Sequence, residues 1–67
     1  MNKFPERLKD LRLEKGLSQK QLAEKIGVKQ PTIARWERGE QVANIDCAIA
    51  LAQFFDVSAD YLLGLVD

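Results

Sequence analysis

The side chains able to do chemistry in this sequence are mostly charged, and they are unevenly placed. Lys3, Arg7, Lys9, Arg12, Lys15, Lys20, Lys25, Lys29, Arg35 and Arg38 all precede residue 40. Ten cations against five carboxylates leave residues 1–39 at +5. Residues 40–67 carry Glu40, Asp46, Asp56, Asp60 and Asp67 with no Lys or Arg, a charge of −5. As a sum, the resulting zero argues against a surface coated for nucleic acid or anionic lipid. As a split, it allows a basic partner face in the first half. Ordinary solvated helix surface accounts for the same split.

Other chemistries fall away. There is no histidine, hence no imidazole base and no histidine metal ligand. Cys47 stands alone, so it forms no intramolecular disulfide and no multi-cysteine metal site. No nucleophile has a base beside it, and there is no glycine-rich phosphate loop. The expectation is a protein that is not an enzyme and uses no metal or cofactor. No apolar run approaches the roughly 20 residues that span a bilayer. The stretch from Met1 to Pro5 lacks the apolar core of a signal peptide. A reduced, cytoplasmic setting fits the single cysteine.

These side chains must be positioned by one small domain, residues 1–67. With 46% hydrophobic and 30% charged residues, the chain has the composition of a globular protein rather than a disordered one. Phe4, Leu8 and Leu11 share one helical face, predicting a first helix over about residues 5–15. Pro5 suits its first turn, and Gly16 its end. Ser18 caps a second helix, Gln19 to Ile26, and Gln21 completes a capping box. Gly27 ends it. Pro31 is tolerated only in a first helical turn, so a third helix runs from Gln30 to Arg38. Asn44 caps a fourth, Ile45 to Phe55, with Ile45, Ala48, Leu51, Ala52 and Phe55 at core spacing. Ser58 caps a fifth that ends near Leu63. No alternating strand pattern appears. The fold class is all-α, five short helices around one core.

Residues 19–38, QKQLAEKIGVKQPTIARWER, are the informative stretch. Ala23 is small where a second helix must approach. Gly27 supplies a sharp turn. Val28, Ile33 and Trp36 face Leu22 and Ile26. Two helices joined in this way form a helix-turn-helix.

The chain here resembles the Cro/repressor-type (phage repressor-like, Xre) helix-turn-helix proteins. The matching residues are Leu8, Leu11 and Arg12, then GLSQKQLAEKIGV, QPTIARWERG and the DVSADYLL ending. The likeness spans about residues 6–64. It implies a compact five-helix, lambda-repressor-like DNA-binding domain that acts as a two-fold dimer on an operator. In the family the third helix enters the major groove with its N-terminal residues at base edges. That implicates Gln30, Pro31, Thr32 and Arg35 in base contact. Glutamine can pair with adenine N6/N7 and arginine with guanine O6/N7, and a thymine methyl can meet Pro31 or Thr32. The resemblance gives Gln19 a phosphate contact and a bracing role. Lys20, Lys29 and Arg38 are further phosphate candidates. Arg12 and Glu37 match a structural salt bridge tying the first helix to the end of the third.

Two features depart from the family pattern. Lys29 stands where Ser or Thr usually caps the recognition helix, and its side chain accepts no hydrogen bond. The segment after Gly39 often carries Lys or Arg and a proline, but here reads Glu40, Gln41, Val42, Ala43. That weakens the expected phosphate grip of this loop.

Trp36, Phe54, Phe55 and Tyr61 lie at helical spacing and read as core rather than as a base-stacking platform. Cys47 reads as a small hydrophobe. Leu62, Leu63, Leu65 and Val66 exceed what one short helix needs. They either cap the core or form a partner surface, with Leu63 and Leu65 assigned to a dimer interface. The leading expectation is a sequence-specific, double-stranded DNA-binding transcriptional regulator, a repressor binding a palindromic operator as a homodimer. The alternative is a protein-interaction module, antitoxin-like, with weak DNA affinity.

Overall fold

A computed structural model describes residues 3–66. Met1, Asn2 and Asp67 lie outside the described residues, and so do the two ends of the expected 1–67 domain. Five helices follow in order: α1 Phe4–Glu14, α2 Gln19–Ile26, α3 Gln30–Glu37, α4 Ile45–Phe55 and α5 Ala59–Leu62. No strand occurs among the described residues. None of these helices is long and apolar enough to cross a membrane.

Local chemistry explains the boundaries. Ser18 Oγ accepts from the Gln21 backbone N–H at 3.0 Å, and Gln21 Oε1 accepts from Ser18 N at 2.8 Å, so the capping box is closed. Asn44 and Ser58 cap α4 and α5 by accepting from Cys47 N and Tyr61 N. α3 starts without a side-chain cap at Lys29. Pro31 has no N–H to satisfy, and Thr32 N donates to the Lys29 carbonyl at 2.9 Å.

All five helices end in the same reverse turn. Its left-handed residue is glycine four times and Asp56, at φ 56°, once. The residue after it folds back and donates to a carbonyl one turn earlier: Leu17 to Arg12, Val28 to Ala23, Glu40 to Arg35, Val57 to Ala52, Leu65 to Asp60. Leu17, Val28 and Val57 pack onto the core at these corners. Three of the five turns are thereby tied down by an apolar contact.

The core is built from Phe4 and Leu8 of α1, Leu22 and Ala23 of α2, Ile33 and Trp36 of α3, four residues of α4 and Leu62 of α5. Trp36 lies at its centre, meeting the edge of Phe4 at a ring separation of 6.3 Å. Burying each large side chain contributes about 1.5–3 kcal/mol. The indole Nε1 of Trp36 is buried with no hydrogen-bond partner among the described residues, a cost of about 1–3 kcal/mol set against the burial of its ring.

One expectation from spacing is corrected. Ile45 shares the angular stripe of Ala48, Ala52 and Phe55, yet it is 77% exposed. As the first residue of α4 it lies beyond the edge of the core, and helical period specifies direction, not depth. Leu11 shares the inward face of Phe4 and Leu8 and packs, half-buried, against the core margin. Of the aromatics expected in the core, Tyr61 instead lies half-buried outside the core cluster, with Arg7 over its ring. Trp36 and Phe55 are buried, and Phe54 is half-buried with its ring 5.0 Å from that of Phe55.

Candidate nucleic-acid interface

α2 and α3 are joined through the left-handed Gly27 (φ +87°) and the packed Val28. Ile33, Ala34 and Trp36 turn α3 inward. The opposite stripe, Pro31, Arg35 and Arg38 at i, i+4 and i+7, is exposed, with Gln30 beside it and Thr32 half-buried. An α-helix with its side chains is about 10–12 Å across, so α3 can lie in a major groove about 12 Å wide.

The exposed start of α3 is held by a line of hydrogen bonds running back into the molecule. Gln30 Nε2 donates to Gln19 Oε1 at 2.7 Å, and Gln19 Nε2 donates to Glu37 Oε1 at 3.1 Å. Arg12 then donates to both oxygens of Glu37, from Nε at 2.6 Å and from Nη2 at 3.0 Å. Its Nη1 donates to the Leu17 carbonyl at 2.8 Å. The Arg12 and Glu37 side chains are only 9% and 5% exposed. Bonding to Glu37 raises the Arg12 pKa above its ordinary value, against the opposing effect of burial. Gln19 is thus a two-ended strut between α3's first residue and its last. The Gln30 amide has two N–H donors, and only one is engaged with Gln19. A carbonyl oxygen and one N–H are left, the set that adenine requires.

Lys20, Lys29 and Arg38 are exposed, at the starts of α2 and α3 and at the end of α3. Arg38 is not an open cation. Its Nε donates to Glu40 Oε2 at 2.7 Å and its Nη2 to Glu40 Oε1 at 3.1 Å, and both residues are more than half exposed. Sequence reasoning missed this pair. The charges were two residues apart, and only the turn at Gly39 folds Glu40 back onto α3. It also missed Arg7. That guanidinium lies 4.2 Å from the centre of the Tyr61 ring and donates to the Tyr61 and Val66 carbonyls, fastening the C-terminal segment to α1. Gly64, at φ +80°, lets this segment pass close to the Lys3 backbone.

The two residues assigned to a dimer surface separate. Leu63 is half-buried against the core, whereas Leu65 is 70% exposed. Cys47 is unpaired and half-buried. No cluster of metal-ligating residues is present among the described residues.

A helix-turn-helix family model matches residues 8–62, most of the chain. The chain belongs to this helix-turn-helix family. It is 40% identical over 64 residues to the HTH-type transcriptional regulator YobD of Bacillus subtilis, covering 96% of this chain and 57% of that one. It is 39% identical to the HTH-type transcriptional activator BcrR of Enterococcus faecalis, covering 91% of this chain and 30% of the activator. The helix-turn-helix chain therefore spans little more than half, or less, of these relatives' lengths. Its fold is similar to that of the P22 c2 repressor crystallised with a synthetic operator, with a TM-score of 0.86 and 33% identity over 90% of this chain and 91% of that one. The lambda-repressor-like architecture follows from that likeness.

Proposed function

We propose that this helix-turn-helix domain binds double-stranded DNA sequence-specifically as part of a cytoplasmic transcriptional regulator. The observation that carries the reading is the strut of Gln30, Gln19, Glu37 and Arg12. It pre-orients an exposed glutamine at the start of a groove-sized helix while leaving its reading atoms available. Gln30, Pro31, Thr32 and Arg35 read base edges. Gln19, Lys20, Lys29 and Arg38 meet phosphates. Arg12 and Glu37 hold the frame. The likeness to an operator-bound repressor supports the same docking.

The working form is a homodimer on a palindromic operator. A body of 27 × 24 × 21 Å carries one α3. Two bodies side by side can bring two such helices to the separation of about 34–36 Å that successive major grooves require. Leu65 supplies the exposed apolar surface for that contact. The outcome is repression, because an occupied promoter excludes polymerase. Binding is tested by gel shift on selected duplex DNA with Gln30→Ala/Arg35→Ala. Loss of sequence preference with an unchanged melting temperature is expected. Unchanged preference would overturn the assigned reading residues. A tight protein complex with negligible DNA affinity would instead favour the interaction-module alternative.

A further inference from the structure

The turn that ends α3 differs from the other four in the type of residue it folds back. At the position that folds back onto its own helix stand Leu17, Val28, Val57 and Leu65 in four cases, and Glu40 in the fifth. Apolar contact is the usual accompaniment of this turn. Glu40 makes none of that kind. The bond from Glu40 N to the Arg35 carbonyl, 3.0 Å, swings its side chain back along the last turn of α3. Both carboxylate oxygens then accept from Arg38, at 2.7 and 3.1 Å.

A two-pronged carboxylate–guanidinium pair has the same geometry as a guanidinium–phosphate pair. Glu40 therefore occupies the donors that Arg38 would turn toward a DNA backbone. We propose that Glu40 is a resident competitor for phosphate, holding Arg38 in an internal pair and lowering the sequence-independent part of DNA affinity. This rests on the DNA-binding reading above. The carboxyl of Glu40 is held below its ordinary value first by the hydrogen bond from Arg38, then by the charges of Arg38 and Arg35, so it stays anionic at neutral pH. Because the pair is exposed, it opens easily, and the competition is graded rather than absolute. Phosphate contacts position a protein without reading sequence. A domain deprived of one depends more on its base-edge contacts and on pairing with a second copy.

The test is a salt titration by fluorescence anisotropy on a random-sequence duplex. It compares the wild type, Glu40→Gln, Arg38→Gln and the double variant. Both positions are exposed, and equal melting temperatures confirm intact folds. Glu40→Gln should tighten binding about two- to fivefold, the span open to an exposed ion pair. It should also steepen the slope of log K against log salt by about 0.9, one added phosphate. Arg38→Gln should cost about two- to fivefold more in the Glu40→Gln background than beside Glu40, because only there is the guanidinium released. An unchanged slope in Glu40→Gln, or equal losses in the two backgrounds, would overturn the competition while leaving DNA binding in place. A wild type that fails to bind any duplex at low salt would overturn the DNA-binding reading itself.

Discussion

Glu37→Ala withdraws the acceptor from three hydrogen bonds at once: Arg12 Nε at 2.6 Å, Arg12 Nη2 at 3.0 Å and Gln19 Nε2 at 3.1 Å. The Arg12 guanidinium then keeps only the Leu17 carbonyl, in a side chain that is 9% exposed. A charge left in that position is costly. Breaking a buried pair by removing one partner costs about 3–5 kcal/mol. At about 0.05–0.15 kcal/mol per residue, a chain of this size has a total stability of about 3–10 kcal/mol. The variant should therefore lose much of its stability. Its melting temperature should fall by at least about 12 °C, taking about 4–8 °C per kcal/mol for a domain this small. Urea unfolding followed by the fluorescence of Trp36, the one tryptophan and a buried one, measures this directly. The control is Arg12→Met/Glu37→Met, which removes both charges and should recover most of the loss. A cost below about 1 kcal/mol for Glu37→Ala would show that the pair behaves like a surface pair, and the framing role of Glu37 would fail. A double variant no more stable than Glu37→Ala would refute the same reasoning.

Four further outcomes follow from the same geometry. Gly64→Ala should cost more than Gly27→Ala in a thermal melt. Both glycines have positive φ, a penalty of about 1–2 kcal/mol for alanine, but only at Gly64 would the new Cβ meet backbone, the Lys3 nitrogen at 3.0 Å. Asp56→Gly should stabilise by about 0.5–1 kcal/mol in urea, since it relieves a left-handed non-glycine residue and removes an anion from the C-terminus of α4. Ile45→Glu should change monomer stability by less than about 0.5 kcal/mol, whereas Leu51→Ala, at full burial, should cost about 2–5 kcal/mol. DNA affinity at fixed salt should be nearly flat between pH 5.5 and 7.5. The sequence has no histidine, and Arg38 keeps the pKa of Glu40 below its ordinary value, so proton uptake that would release Arg38 begins only at more acid pH.

Much of this fold is legible in the sequence because its punctuation is chemical. Ser18, Asn44 and Ser58 each place a side-chain oxygen where the first free N–H groups of a helix need one. Gly16, Gly27, Gly39 and Gly64 mark four of the five ends. The fifth end, at Asp56, carries no such mark, because aspartate enters the left-handed region less often than glycine and signals a turn only weakly. Ile45 was misplaced for a different reason. Its angular position on α4 is correct, and only the arrangement of neighbouring helices decides whether that position is covered. The site divides in the same way. The exposure of Gln30 and Arg35 follows from which face of α3 Ile33 and Trp36 bury. The Arg38–Glu40 pair does not follow from composition, in which the two charges fall on opposite sides of the +5/−5 boundary. It exists because a backbone turn brings a residue of the acidic half onto the helix of the basic half.

Selection of bound duplexes from a random pool decides whether the exposed face of α3 reads sequence. Two enriched half-sites with inverted symmetry are expected, their centres about 10–10.5 base pairs apart or a multiple of that. Gln30→Ala and Arg35→Ala should each relax preference at particular base pairs. Recovery of no enriched sequence, or of the same sequence by the wild type and both variants, would contradict sequence reading by α3.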